Sequence, residues 1–170
     1  MAPTSIKVSV RYGSHMPALL QAAFKSQGDI LELGVGVFST HTLHWLCALT
    51  GRRMTTIENN AEWHKWGRQY ESPTHEVLYV ADWADAPIER PWGVALVDHS
   101  PDYRRALEIR RLANYARFIV CHDANGRYWR QYGYDKVFQE FKYCTVYDKA
   151  NPHTAVLSNF ANLDNFWSAS

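Results

Sequence analysis

The sequence predicts an α/β fold, a doubly wound and mostly parallel sheet with helices on both faces. Short apolar runs recur along the chain, and segments with helical spacing separate them at intervals that fit βαβ units. Several of these runs end in acidic or histidine residues, and in open α/β sheets the carboxyl ends of the strands face the ligand crevice. The length agrees. A chain of 170 residues is enough for one domain with its own core and too short for two. Residues 1–170 are therefore expected to form a single domain.

Each element has a local reason. Ser14 suits the N-cap of a helix over 15–26, with Met16, Leu19, Leu20, Ala23 and Phe24 on one face and Gly28 as its stop. Residues 29–33 form the first strand. Ser39 or Thr40 caps the next helix, whose apolar face carries Leu43, Leu46, Cys47 and Leu49 and which closes at Gly51. Residues 53–58 are the second strand, and Asn59 or Asn60 caps a helix bearing Trp63, Trp66 and Tyr70. Strands follow at 76–81, 92–97 and 117–121, with a helix over 103–115 before the last of these. A short helix near 134–140 precedes two β-rich runs, 142–147 and 154–158, joined through Asn151-Pro152 as a hairpin that adds an antiparallel strand.

Composition excludes some classes of function. The formal net charge of +1 gives no electrostatic case for nucleic acid or an anionic membrane surface. No run is long enough to span a bilayer, and the N-terminus has no secretory apolar segment. Cys47, Cys121 and Cys144 lie outside any paired spacing, so a reduced, cytoplasmic protein with buried thiols and no structural zinc is expected. Seven Trp and ten Tyr point mainly to a core built from large rings.

The most informative stretch is Asp29-Ile-Leu-Glu-Leu-Gly-Val-Gly-Val-Phe-Ser39. A strand that runs into a glycine turn beneath a helix start lets the backbone approach a nucleotide-type ligand closely. A dinucleotide fingerprint wants a third glycine where Ser39 stands. Glu32, just before Gly34 and Gly36, would repel a pyrophosphate and suits a cationic ligand such as S-adenosylmethionine, with its ammonium and sulfonium. Glu58 ends the second strand, about twenty residues on, where an acid can accept from both ribose hydroxyls. Asp82 can take the adenine amino hydrogen while Trp83 covers the ring. A helix cap for Glu58 and a simple loop turn for Asp82-Trp83 are the structural alternatives.

With these residues the chain, over roughly 12–160, resembles a class I S-adenosylmethionine-dependent methyltransferase. Glu32-Leu33-Gly34-Val35-Gly36 looks like that family's first motif, Glu58 its ribose acid, Asp82 its adenine-side acid and Val97-Asp98-His99 its fourth motif. The resemblance implies a Rossmann-like, seven-stranded sheet with an antiparallel last strand, and methyl transfer with S-adenosylhomocysteine (SAH) as second product. It also implies an N-terminal helix that closes over the cofactor's methionine end, where Tyr12, Ser14 or His15 can bond its carboxylate.

For the reacting end the candidates are Asp98, His99 and His122, with Asp98 orienting the cofactor ammonium and a histidine as general base. Asp98, Asp123 and Asn125 are similar to the ligand set of metal-dependent small-molecule O-methyltransferases, which hold magnesium through oxygen donors. Ala124 breaks the adjacent Asp-Asn pair of that set, which favours a site without metal. Arg104 and Arg105 open a helix against its dipole and read as a solvated face, with anion binding as the alternative. Arg127, Tyr128, Trp129 and Arg130 can stack and clamp a planar acid.

These features point to a small-molecule O-methyltransferase. The segment Asp98-His99-Ser100-Pro101 is unlike the Asn-Pro-Pro-Tyr of amino-directed nucleic-acid methyltransferases. A protein or RNA acceptor, a cofactor-binding protein without transferase activity, and a nicotinamide-dependent oxidoreductase are the alternatives. The acceptor and the oligomeric state, a homodimer included, stay open.

Overall fold

The structure is a computed structural model and describes residues 9–168. Seven strands form one sheet: β1 (Ile30–Leu33), β2 (Met54–Glu58), β3 (His75–Tyr79), β4 (Trp92–Val97), β5 (Ala116–Cys121), β6 (Tyr143–Tyr147) and β7 (Thr154–Ser158). Their spatial order is β3-β2-β1-β4-β5-β7-β6. β7 alone is antiparallel to its neighbours β5 and β6, and the other pairings are parallel. The expected sheet and its closing hairpin are both present.

Burial follows position in the sheet. β1, β2, β4 and β7 are buried at every residue, because both of their faces are covered. β3 and β6 lie at the two edges and mix covered with exposed positions. Alternate residues serve alternate faces. Leu31, Leu33, Ala95, Val97, Ile119 and Leu157 pack with Ile109, Leu112, Tyr134 and Phe138 on one side. Ile30, Val94, Leu96, Phe118, Val120 and Val156 pack with Ala18, Leu19, Leu43 and Cys47 on the other.

The second layer holds helices α1 (Met16–Phe24) and α2 (Ser39–Thr50). The first holds α4 (Arg105–Leu112) and the short α6 (Tyr134–Val137). α3 (Ala61–Gly67) crosses from β2 to β3, and α5 (Tyr128–Gln131) lies before α6. Gly51 ends α2 at φ 70°, and Asn60 caps α3 by accepting from the Glu62 and Trp63 amides, both as the sequence predicts.

Three local expectations are corrected. Ser14 does not cap α1. His15 holds that position without a side-chain bond, and a 3-10 turn over Val10–Gly13 precedes it. Leu49 is 84% exposed, because it falls at the open end of α2 beyond the strip formed by Leu43 and Cys47. Cys144 lies on edge strand β6 and is exposed, while Cys47 and Cys121 are buried.

The topology sets the site. From β1 the chain winds outward through β2 and β3, then crosses back to β4 on the other side of β1. That reversal opens a crevice at the carboxyl ends of β1 and β4. Leu33 and Val97 are paired in register, so Gly34 and Asp98 emerge side by side. A Cβ at Gly34 would lie 2.8 Å from His99 Cα and 2.9 Å from the Asp98 carbonyl oxygen, and φ there is +95°. Only glycine fits that approach.

Candidate active site

A cleft of about 930 Å³ opens at this edge of the sheet. Its walls come from distant parts of the chain: Arg11, Tyr12 and His15 before and at the start of α1, Val35–Phe38 after β1, and Trp63 on α3. Asp98, Arg105, His122 and Asp123 close it at one end, beside Tyr128, Tyr132 and Pro152.

The glycine turn is held from below by two carboxylates. Glu58 accepts from the Val35 amide at 2.8 Å and from the Asn59 and Asn60 amides at 2.9 and 2.8 Å. Glu32 is wholly buried, and its Oε2 accepts from the Thr40 and Thr56 hydroxyls, each at 2.8 Å. Thr40 Oγ1 in turn accepts from the Gly36 amide at 2.9 Å. Burial raises the Glu32 carboxyl to about 7 against these hydrogen bonds, and its Oε1 has no partner.

The far end is a charged cluster. Arg105 is 5% exposed, and its guanidinium forms an ion pair with Asp98 Oδ1 at 2.9 Å and donates to Asp123 Oδ2 at 3.2 Å. Its Nε donates to the His99 carbonyl oxygen at 2.9 Å. His122 lies between Asp98 and Ser14, with Nδ1 3.1 Å from Asp98 Oδ1 and Nε2 2.8 Å from Ser14 Oγ. Burial opposes the charge on Asp98, but His122 and Arg105 outweigh it and hold the carboxyl well below the usual range. Burial also works against protonated His122, and Asp98 reverses this and raises it. Asp123 adopts a left-handed backbone, φ 58°, unusual for a residue with a side chain.

His15 differs from His122. It is 2% exposed, borders the cleft and makes no hydrogen bond through either ring nitrogen. Burial pushes it down to about 4, so it is neutral near pH 7 although Nδ1 lies 4.0 Å from Asp98 Oδ2.

Of the residues predicted from sequence, Tyr12, His15, Gly36, Asp98, His122, Asp123 and Tyr128 border the cleft. Gly34, Glu32, Ser39 and Glu58 lie beneath or behind the glycine turn, and buried Ser14 stands behind His122. Two candidates are corrected outright. Trp83 is 2% exposed and lies in the core, donating its indole N–H to the Ser100 carbonyl at 2.8 Å. His99 is 1% exposed, packs its ring 4.1 Å from that indole and sits 3.5 Å from Glu108. Both were expected to face a ligand, and both face inward. Asp82 is exposed, accepts from the Ala84 amide at 2.8 Å and lies 3.6 Å from Arg104.

The oxygen-ligand set does not assemble. Asn125 donates to Asn151 Oδ1 and accepts from the His153 amide, both at 3.1 Å, so its amide is committed to the loop. Arg105 stands between Asp98 and Asp123 instead. Sequence patterning reads Arg105 as part of a solvated face, and the structure buries it. The sign that it needed partners was its position, a cation at a helix N-terminus where the dipole disfavours one. Trp63, read as part of an apolar helix face, is the indole that borders the cleft.

Comparison with solved structures identifies the architecture. Cofactor-bound Rv0187 from MTB superposes with a TM-score of 0.67 at 17% identity, covering 94% of this chain and 85% of that one. The O-methyltransferase from Bacillus cereus in complex with SAH gives 0.62 at 13% identity, covering 92% and 83%. The fold is the class I methyltransferase fold. The N-terminal domain of human METTL16 in complex with SAH shares it, with a TM-score of 0.61 at 12% identity, covering 92% of this chain and 73% of that one. No protein-family model matches the chain, and no curated protein sequence matches it. In the class I methyltransferase fold described here, the glycine turn and the Asp98 cluster border one continuous cleft.

Proposed function

We propose that the chain is an S-adenosylmethionine-dependent methyltransferase that acts on an oxygen of a small molecule. One observation carries this: a single cleft joins the glycine turn after β1 to the part-buried Asp98–Arg105–Asp123 cluster after β4 and β5. The similar structures with bound SAH support the choice of cofactor, and the Bacillus cereus protein supports oxygen as acceptor.

The residues fit that cofactor. Tyr12, Val35, Phe38 and Trp63 give the cleft an apolar and aromatic wall, and an ionised Asp98 suits an ammonium group. A carboxylate has about four acceptor positions. The three amides on Glu58 leave room for one ribose hydroxyl. Asp82, exposed after β3, remains the candidate for the adenine amino group. When bound, S-adenosylmethionine supplies an electrophilic methyl group, and the chain's task is to align the acceptor and take its proton. The imidazole proposed for that proton is His15, neutral, beside the cleft, its two nitrogens buried and without a hydrogen-bond partner, whereas those of His122 are held by Asp98 and Ser14. Asp98 stabilises the imidazolium that forms.

Thermal shift with S-adenosylmethionine, SAH and NAD tests the proposal. A ligand at a hundred times its Kd adds about 2.7 kcal/mol. Stabilisation by SAH and not by NAD is expected, followed by SAH release with hydroxylated acceptors in a panel. Stabilisation by NAD alone would overturn methyl transfer. Cofactor binding without turnover on small molecules, protein or RNA would leave a binding protein.

A further inference from the structure

We infer that Arg105 is the resident cation of the acceptor end, standing where the surrounding donors would otherwise hold a divalent metal ion. Donor atoms of His15, Asp98 and His122 lie within 4.8 Å of one another. Asp123 Oδ2 is 3.8 Å from His122 Nδ1. Two imidazoles and a carboxylate so close together, with Asp123 beside His122, are a donor set that suits a transition-metal ion.

The guanidinium already occupies that set. It reaches Asp98 at 2.9 Å and Asp123 at 3.2 Å and takes acceptor positions that a metal would need. It cannot step aside as a solvated arginine would. Its Nε is tied to the His99 carbonyl at 2.9 Å, its plane lies over the Tyr132 ring at 4.9 Å, and it is 5% exposed. Its fixed positive charge between the two carboxylates opposes a divalent ion on the same oxygens, while Asp98 Oδ2, 4.0 Å from His15 Nδ1, is left to a monovalent group. The two carboxylates thus hold Arg105, and Arg105 presents a positive field to the acceptor oxygen as its proton leaves. That last use rests on the methyl-transfer proposal. The presence of a built-in cation rests on the side-chain geometry alone.

The test is Mn²⁺ binding to the full chain without cofactor, by electron paramagnetic resonance and calorimetry. The wild type is expected to bind no Mn²⁺ in the millimolar range and to melt at the same temperature in Mg²⁺ and in EDTA. Arg105→Gln is expected to gain Mn²⁺ binding, and adding Asp98→Asn to abolish it again. Wild-type Mn²⁺ binding that Asp98→Asn removes would overturn the inference. So would a folded Arg105→Gln that binds none. Should Arg105→Gln not fold alone, refolding with Mn²⁺ or methylguanidinium is expected to restore its near-ultraviolet circular dichroism, and restoration by neither overturns the inference. SAH binding by the same wild-type sample reports separately on methyl transfer.

Discussion

Thr56 donates its hydroxyl hydrogen to Glu32 at 2.8 Å across neighbouring strands, and neither residue is exposed. The bond is one link in a longer chain. His75 Nε2 lies 2.8 Å from the same Thr56 hydroxyl, and His44 Nδ1 lies 3.2 Å from His75 Nδ1. One set of tautomers satisfies every link: His44 donates to His75, His75 to Thr56, and Thr56 to Glu32. The glycine turn, through Thr40, rests on the same carboxylate.

Glu32 is expected to make stability depend on pH in a direction unusual for a carboxylate. Burial raises its folded pKa from 4.5 to about 7, so the folded state binds the proton more tightly than the unfolded one. Stability from this group is greatest below about pH 4.5 and falls as pH rises to about 7, where the loss is complete. The full effect is on the order of 3 kcal/mol. His15 and His75, both lowered to about 4 by burial, act oppositely, adding stability between about pH 4 and 6.5. Melting curves of wild type and Glu32→Gln across this range separate the terms. The difference in favour of Glu32→Gln should grow up to about pH 7 and then level off. A constant difference would show that folding does not shift the Glu32 pKa.

Gly34→Ala should cost far more than Gly51→Ala, although both glycines have positive φ, +95° and +70°. A left-handed residue with a side chain costs roughly 1–2 kcal/mol. Gly51 has nothing within 4 Å of an added Cβ, so that cost is the whole of it. Gly34 would also push into the β4 backbone at 2.8 Å, so Gly34→Ala should exceed about 2 kcal/mol. Thermal denaturation of the two variants measures the contrast.

Trp63 and Trp83 should exchange the roles that sequence position suggests. Trp83→Ala removes a core side chain and should destabilise by about 3–5 kcal/mol. Trp63→Ala, on the cleft wall, should leave the melting temperature nearly unchanged and weaken SAH binding. Calorimetry on both variants decides. A Trp63→Ala protein with wild-type SAH affinity would take that indole out of the site.

Glu58→Ala should weaken SAH binding by about 1–3 kcal/mol, on the order of a lost charged hydrogen bond. It should also lower the melting temperature, because the Val35, Asn59 and Asn60 amides lose their acceptor. Unchanged affinity together with lowered stability would confine Glu58 to supporting the turn.

What was legible in the chain was what neighbours along it decide. Alternation of apolar residues placed the strands to within a residue or two, and Gly34, Gly36, Glu58 and Asp98 fell at strand ends because each follows or completes a local apolar run. The carboxyl edge of the sheet followed, and with it the side on which the cleft opens. Side-chain direction was not legible. Adjacent residues point to opposite faces of a strand and about 100° apart on a helix, so a one-residue difference moved His99 into the core beside Asp98. Tertiary packing turned Trp83 inward and left Trp63 on the cleft wall. It also joined Arg105 to Asp123, 18 positions away, and His122 to Ser14, 108 positions away. Ion pairs and hydrogen bonds of that reach depend on which elements pack together, so the tertiary structure alone decided which cation and which imidazole stand at the reacting end.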